Sequence, residues 1–156
     1  MNFGGMTKKM KNLQENEKMI LNELRKNARV SLLEVAKKTN MPVSTVYDKL
    51  KGYEKDIIKK HTSLVDFTNL GYYARKIVVL KVSKESRQEI QNFLASHPNV
   101  NSLYKINSGY DYLIEIIADN SGKIKDILDE LNSQKGILGM SGYDLVDELK
   151  REAFVI

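Results

Sequence analysis

Three runs of apolar residues at helical spacing occupy the first third of the chain. The first predicts a helix that begins between residues 14 and 16 and ends near residue 27, and its inward positions are Leu13, Ile20, Leu24 and Ala28. Ser31 and Glu34 then form a capping-box pair, which marks a second helix because each side chain can satisfy the other residue's free backbone N–H. This second helix stops before Pro42, since proline cannot continue the hydrogen-bond ladder.

The third amphipathic run follows after a turn of only a few residues and predicts a helix that ends near Asp56. Its apolar face carries Val43, Val46, Leu50 and Tyr53, and its other faces carry Ser44, Thr45, Tyr47, Asp48, Lys49 and Lys51. Two short helices joined by a tight turn, the second rich in polar and cationic side chains, are typical of a helix-turn-helix that reads the DNA major groove. We therefore predict a helix-turn-helix DNA-binding domain over residues 13–57.

Beyond residue 57 the hydrophobic pattern changes to one of strands alternating with helices. Residues 57–62 look extended, and we expect 58–72 to form a linker strand that acts as the hinge between two domains. The elements predicted after it are a strand over 73–82, a helix over 86–97, a strand over 100–107, a strand over 111–118, a helix capped by 119–122, and a last strand or strands within 137–149. This order predicts an α+β protein whose second domain, residues 73–156, is a ferredoxin-like βαββαβ unit.

The strands of this second domain are apolar on both faces. In the first strand, Val78 and Leu80 lie on one face, and Ile77 and Val79 lie on the other. In the third strand, one face carries Tyr112, Ile114 and Ile116, and the other carries Leu113 and Ile117. Both helices of such a unit cover the same face, so the other would expose a large apolar patch. We expect a second sheet to cover it in a homodimer; the alternative is that the N-terminal domain does so.

Charge separates the two halves of the chain. Through residue 62 there are 14 Lys and Arg against 7 Asp and Glu, whereas from residue 63 onward there are 11 against 13. A basic first half favours binding to a phosphate backbone, although lysine-rich helices can also be simply solvated faces. Residues 1–12 have the composition of a flexible basic arm. The absence of cysteine suits a reducing interior, and no apolar run approaches a membrane span, so we expect a cytoplasmic protein.

Several side chains of the helix-turn-helix are candidates for contact with double-stranded DNA. Ser44 and Thr45 are placed to donate to phosphates or bases, and Tyr47 and Lys49 to reach base edges. The cations expected to hold the backbone are Lys37, Lys38 and Lys51. If a dimer places two such helices in successive major grooves, the half-sites lie about 34 Å apart or at a multiple of that distance.

Four stretches together resemble the Lrp/AsnC, or feast/famine, family of transcriptional regulators. They are Leu13-x-x-x-Glu17-x-x-Ile20-Leu21-x-x-Leu24, Ala28-Arg29-Val30-Ser31-x-x-Glu34-Val35-Ala36, Ser44-Thr45-Val46, and Ile58-Lys59-Lys60-His61-Thr62-x-Leu64-Val65-Asp66-x-x-x-Leu70-Gly71. The resemblance implies an N-terminal helix-turn-helix, a C-terminal effector-sensing domain, dimers formed by the sensing sheets, and often octamers. It also implies that small molecules, commonly amino acids, bind between dimers.

The candidate effector site carried by this resemblance departs from the family pattern. Its positions are Asn107, Ser108, Gly109, Asp111, Met140 and Gly142. The family's Gly-x-x-Asp loop is one residue shorter here, and a methionine and a glycine replace the usual threonines, so the paired partners that an amino acid needs are missing. An ordinary amino acid, a changed ligand held by backbone groups, and no ligand all stay open. A turn aspartate at 111 that caps backbone N–H groups is the structural alternative.

An enzyme and a partner module are the competing classes. The chain is similar to sirohaem decarboxylases in overall plan, but its two histidines, His61 and His97, come without a recognisable catalytic set or a cysteine. We therefore expect no catalysis, no cofactor and no metal site. A regulator that docks onto larger family members through its sheet is a further alternative.

Overall fold

A computed structural model describes residues 13–107 and 109–156, so the predicted arm over residues 1–12 lies outside the described residues. The described chain divides into two compact units. Unit 1 contains the described residues up to Leu64 together with Lys150–Ile156, and unit 2 is Val65–Leu149. The last seven residues were predicted to belong to the second domain, whereas they group with unit 1, and residues 152, 154 and 156 are hydrogen-bonded to the first helix.

Unit 1 contains the three predicted helices. They are α1, Glu15–Lys26; α2, Leu32–Thr39; and α3, Val43–Asp56. The capping box at the start of α2 is present, with the Glu34 N–H donating to Ser31 Oγ at 3.2 Å and the Ser31 N–H donating to the Glu34 carboxylate at 3.3 Å. The core of the unit consists of Ile20, Leu21, Val35, Ala36, Val46 and Tyr53. Burial of Ile20, Val35, Ala36, Val46 and Tyr53 confirms these positions of the predicted apolar faces. Ala28 and Val43 were predicted on the same faces but are exposed, because Ala28 lies just after the end of α1 and Val43 lies at the start of α3.

The turn between α2 and α3 is tight because Asn40 adopts a left-handed conformation, with φ of 53°. The Met41 N–H then donates to the Ala36 carbonyl, which ends α2. Asparagine tolerates this conformation better than most residues. The sequence pattern had identified a turn here from Pro42 alone.

The strand predicted over 58–72 does not form in this single chain, and the role of the segment as the hinge between domains stays a prediction. The segment has no paired strand, and its only regular element is a turn of 3₁₀ helix at Thr68–Leu70. Asp66 accepts hydrogen bonds from the Thr68 and Asn69 N–H groups, so these two backbone donors are satisfied by a nearby side chain and not by a neighbouring strand. Extended, β-branched sequence was therefore insufficient, because a strand also needs a partner.

Unit 2 is the predicted βαββαβ fold. Its elements are β1, Ala74–Val82; α4, Arg87–Ser96; β2, Val100–Lys105; β3, Tyr112–Ala118; α5, Ser121–Ser133; and β4, Ile137–Asp144. The antiparallel sheet has the order β2-β3-β1-β4. Asn120 caps α5 by accepting from the Lys123 N–H, as the sequence indicated. The last strand ends at Asp144, within the predicted range of 137–149.

The two faces of this sheet differ in burial. The face toward α4 and α5 is completely buried at Val78, Leu80, Ile114 and Ile116. On the opposite face Ile77, Val79 and Leu113 are half-buried, as the two-sided pattern predicted. That face also holds a buried Glu115, whose carboxylate accepts from Arg75 at 2.6 Å.

Within the described residues, no helix has both the length and the apolar character needed to cross a membrane.

Candidate nucleic-acid interface

Packing inside unit 1 decides which side of α3 is available to a ligand. Val46 and Tyr53 are buried and anchor the helix in the core. Ser44 is exposed, Thr45 is half-buried, and Tyr47 keeps 49% of its surface accessible. The three predicted contact residues of the first turns of α3 thus lie along an accessible side of the helix.

Lys51 extends this accessible side by one turn. Its ammonium lies 5.7 Å from the centre of the Tyr47 ring, a cation–π contact, and 3.3 Å from the Glu54 carboxylate. Both contacts join side chains on the surface of one helix, so they cost little to exchange for a phosphate. Lys37 on α2 is also exposed and makes no ion pair within residues 13–107 and 109–156.

Lys49 is directed toward α1 and not into solvent. Its ammonium contacts the Glu17 carboxylate at 2.7 Å, and the Tyr53 hydroxyl donates to the same oxygen at 3.2 Å. The hydrogen bond from Lys49 holds the pKa of Glu17 below its ordinary value. Burial, reinforced by the Glu17 charge, raises the pKa of Tyr53 to about 12. This cluster joins the start of α1 to the middle of α3.

Lys38 is engaged in a similar way. Its ammonium pairs with Glu23 on α1, and Lys26 contacts the same carboxylate at 2.7 Å. Hydrogen bonds from Lys26 and then Lys38 lower the pKa of Glu23. The sequence analysis did not identify Glu17 and Glu23 as partners of Lys49 and Lys38, because neither glutamate lies near its lysine in the chain. The one available signal was the position of both glutamates among the polar residues of α1.

The candidate effector residues are brought near one another only in part. Asp111 N–H donates to the Leu80 carbonyl at the end of β1, and Met140 pairs with Leu80 from the other side of that strand. Ser108 lies outside the described residues, and Asn107 and Gly109 flank it in the exposed β2–β3 connection. Gly109 has a φ of 100°, which suits a glycine turn.

The side chains of this candidate site have structural partners. One Asp111 oxygen accepts from the Val82 N–H at 2.9 Å and the other from Arg87 at 2.6 Å, and the first of these bonds lowers the pKa of the carboxyl. Met140 packs against the core under the helices. Gly142 pairs with Val78 in the sheet. The capping alternative for Asp111 therefore describes its contacts in this structure.

The histidines do not form a cluster. His61 lies 3.5 Å from Glu54, and the largely buried His97 lies 3.6 Å from Glu130. Among the residues that the structure describes, no three His, Asp or Glu side chains are grouped as metal ligands.

Comparison with known proteins matches each unit to a family model. Residues 13–56 match the model described as winged helix-turn-helix DNA-binding, and residues 76–153 match the Lrp/AsnC ligand binding domain. The pairing of these two domains defines the class as a DNA-binding transcriptional regulator with an effector-binding domain.

Curated relatives agree with this assignment over most of the chain. The HTH-type transcriptional regulator FL11 of Pyrococcus furiosus is 30% identical over 81% of this chain and 85% of its own length. The transcriptional regulator AzlB of Bacillus subtilis is 29% identical over 92% of this chain and 94% of its own length. The chain belongs to the Lrp/AsnC family of transcriptional regulators.

Solved structures share the fold. LrpC of Bacillus subtilis superposes with a TM-score of 0.80 at 23% identity, covering 90% of this chain and 99% of its own. A transcriptional regulator of Neisseria meningitidis, solved as its L-Met complex, gives a TM-score of 0.82 at 20% identity, covering 89% of this chain and 93% of its own.

Proposed function

We propose that this regulator binds double-stranded DNA as a homodimer, with one α3 helix of each copy in the major groove. The observation that carries the proposal is the accessible side of α3, on which Ser44, Thr45, Tyr47 and Lys51 follow one another along about two turns. Hydroxyl, phenol and ammonium groups in this arrangement can donate both to phosphates and to base edges. The basic first half of the chain adds a favourable electrostatic contribution.

We assign Lys37 to a phosphate contact, because it is exposed beside the turn that leads into α3. Lys49 and Lys38 were predicted as DNA contacts, and that role stays a prediction. Each must leave a carboxylate of α1 before it can reach DNA. In the absence of DNA, we propose that the Lys49–Glu17 pair orients α3, which makes Lys49 a positioning residue for the neighbouring contact side.

A dimer through the sheet of unit 2 follows from the face opposite the helices. Ile77, Val79 and Leu113 are half-buried there, and Tyr104 and Tyr143 keep 58% and 62% of their surface exposed. The strand register places all five residues on the same face of the sheet. An apolar surface of this kind favours a second copy of itself as the partner.

The hydrogen bonds of Asp111 restrict how an effector can bind at the β2–β3 connection. An amino acid's ammonium group needs a carboxylate or carbonyl partner, and the Asp111 carboxylate is already bonded on both oxygens. We therefore propose that any small molecule bound at the β2–β3 connection is held by backbone groups around residues 107 to 109. A thermal-shift screen tests this, because a ligand at 100 times its dissociation constant adds about 2.7 kcal/mol of stability.

DNA binding is tested first by selecting bound fragments from genomic DNA and measuring affinity by fluorescence anisotropy. Tyr47→Ala combined with Lys51→Ala should weaken binding to a selected fragment at least tenfold, since each base or phosphate contact contributes about 1–3 kcal/mol. Lys125→Ala, which removes an exposed lysine from α5, is the matched control and should leave affinity unchanged. Equal affinities of the double variant and the wild type would remove this side of α3 from the interface.

The dimer is tested by light scattering on a sheet-face variant. Val79→Lys places a charge on the half-buried face and should yield monomers, whereas Ala95→Lys, on an exposed position of α4, should not. A wild-type protein that is monomeric at micromolar concentration would contradict the sheet interface.

A further inference from the structure

The carboxy-terminal segment of the chain is held by two side chains of α1. The Asn22 amide donates to a main-chain oxygen of Ile156 at 3.1 Å and accepts from the Ile156 N–H at 2.9 Å. Arg25 Nε donates to the Phe154 carbonyl at 3.1 Å. Its Nη2 donates to both the carbonyl and the carboxylate of Glu152, each at 3.2 Å. Four of these five hydrogen bonds therefore go to the main chain of the segment.

The contacts recur at every second residue, 152, 154 and 156. Side-chain burial contributes little, because Phe154 and Val155 remain 77% and 71% exposed. The two α1 side chains thus act as a neighbouring strand would, and the guanidinium makes its hydrogen bonds charge-assisted. Recognition here depends on the path of the backbone.

The backbone of this segment contains one residue in a conformation that is unfavourable for a free peptide. Glu152 has a φ of 49°, a left-handed conformation uncommon for residues other than glycine. Such a conformation persists where surrounding contacts hold it, and Arg25 contacts both the carbonyl and the carboxylate of this residue.

We propose that Asn22, Arg25 and residues 152–156 form a clasp that ties the carboxy terminus to the DNA-binding unit. The chain leaves unit 1 after Leu64 and returns to it at Lys150, so the closed clasp gives unit 1 a second chain connection to unit 2. With the clasp open, unit 1 is attached by the connection at residues 64 and 65 alone.

The consequence concerns how a dimer chooses its DNA site, and this step rests on the proposed function. Two α3 helices bind two half-sites at once only when their separation matches the spacing in the DNA. Two chain connections to unit 2 restrict the positions that each unit 1 can occupy, whereas a single connection allows a wider range of positions. The clasp is therefore a determinant of half-site spacing specificity and not of contact with the half-site itself.

A pair of substitutions at one residue tests the clasp in the full chain. Glu152→Gly and Glu152→Pro both remove the carboxylate, but glycine adopts positive φ readily while proline is fixed near −65°. Amide exchange of the Ile156 N–H and release of residues by a carboxypeptidase report whether the segment stays bound. The Gly variant should be protected like the wild type, and the Pro variant should exchange and be digested like a free peptide. Equal protection of the two variants would overturn the clasp.

DNA binding tests its role in spacing. Three DNA fragments are compared. The first carries two half-sites one helical turn apart, the second carries two half-sites one and a half turns apart, and the third carries a single half-site. The wild type and Glu152→Gly should prefer one of the two spacings by about tenfold, and the Pro variant and a chain ending at Arg151 should lose most of that preference. Binding to the single half-site should be equal in all four proteins.

Two outcomes count against the proposal in different ways. A Pro variant that retains the full spacing preference would overturn the role of the clasp in specificity. A wild type that binds none of the fragments would overturn the proposed function, while the exchange measurement would still decide whether the clasp exists.

Discussion

Asp111 joins three parts of unit 2, and its replacement should be costly. The residue is only 8% exposed, and its carboxylate accepts from the Val82 N–H at the end of β1 and from Arg87 at the start of α4. In Asp111→Ala the buried Val82 N–H loses its partner, at about 1–3 kcal/mol, and the charge-assisted bond to Arg87 is also lost. We expect a total loss of about 2–4 kcal/mol in the free energy of unfolding of unit 2.

Urea unfolding followed by circular dichroism measures this loss. For an m-value of about 2 kcal/mol/M, the midpoint should fall by about 1–2 M. Asp111→Asn should cost less than the alanine variant, because the amide oxygen still accepts from Val82 although the charge facing Arg87 is gone. An alanine variant with the wild-type midpoint would refute the structural role of Asp111 and restore its candidacy as an effector ligand.

The pH dependence gives an independent check of the same residue. The pKa of Asp111 is lower in the folded protein than the ordinary value near 4, so its ionised form stabilises the fold. This stabilisation is complete above that ordinary value and is lost as the pH falls through the folded-state pKa. The difference between the wild type and Asp111→Asn should therefore narrow below about pH 4. A constant difference from pH 7 to pH 3 would contradict the assignment.

Three further substitutions have expected outcomes. Glu17→Gln should destabilise unit 1 by about 1–3 kcal/mol, which urea unfolding measures. It should also lower the pKa of Tyr53 from about 12, though not to its ordinary value because burial remains, and ultraviolet titration of the phenols measures this shift. Gly136→Ala should cost more than about 1 kcal/mol in thermal unfolding, because φ is 100° and the new methyl would overlap Ser86. Gly52→Ala, in α3 with open space around the new methyl, should instead stabilise by about 0.5–1 kcal/mol, and a loss of stability there would contradict the packing of α3.

Local signals predicted the regular elements well. The capping box at Ser31, the stop at Pro42 and the cap at Asn120 each act within a few residues of the group they satisfy, so they can be identified from adjacent positions. Periodicity then placed the buried faces of the helices and strands, because side chains of regular elements recur at fixed angles. The family resemblance added the pairing of a DNA-binding unit with a sensing unit, which the domain matches confirm.

Local sequence signals did not predict the structure correctly where an element or a side chain depends on a partner far away in the chain. The segment 58–72 has the composition of a strand, but no strand in the described part of the chain pairs with it. The polar members of the sheet's second face were also missed, since Glu115 becomes a buried acceptor only when Arg75, 40 residues away, is brought beside it. Burial opposes ionisation of that carboxyl, yet the bonds it receives lower its pKa.

The sequence by itself determined the order of helices and strands, the apolar faces they bury and the basic character of the first half. Tertiary structure decided which charged side chains are available. Lys49 and Lys51 lie two positions apart on one helix, yet Lys49 meets Glu17, 32 residues away, while Lys51 keeps only surface contacts. The physical reason is that periodicity records which way a side chain leaves its own helix, whereas its partner is supplied by another helix whose position only the folded chain defines.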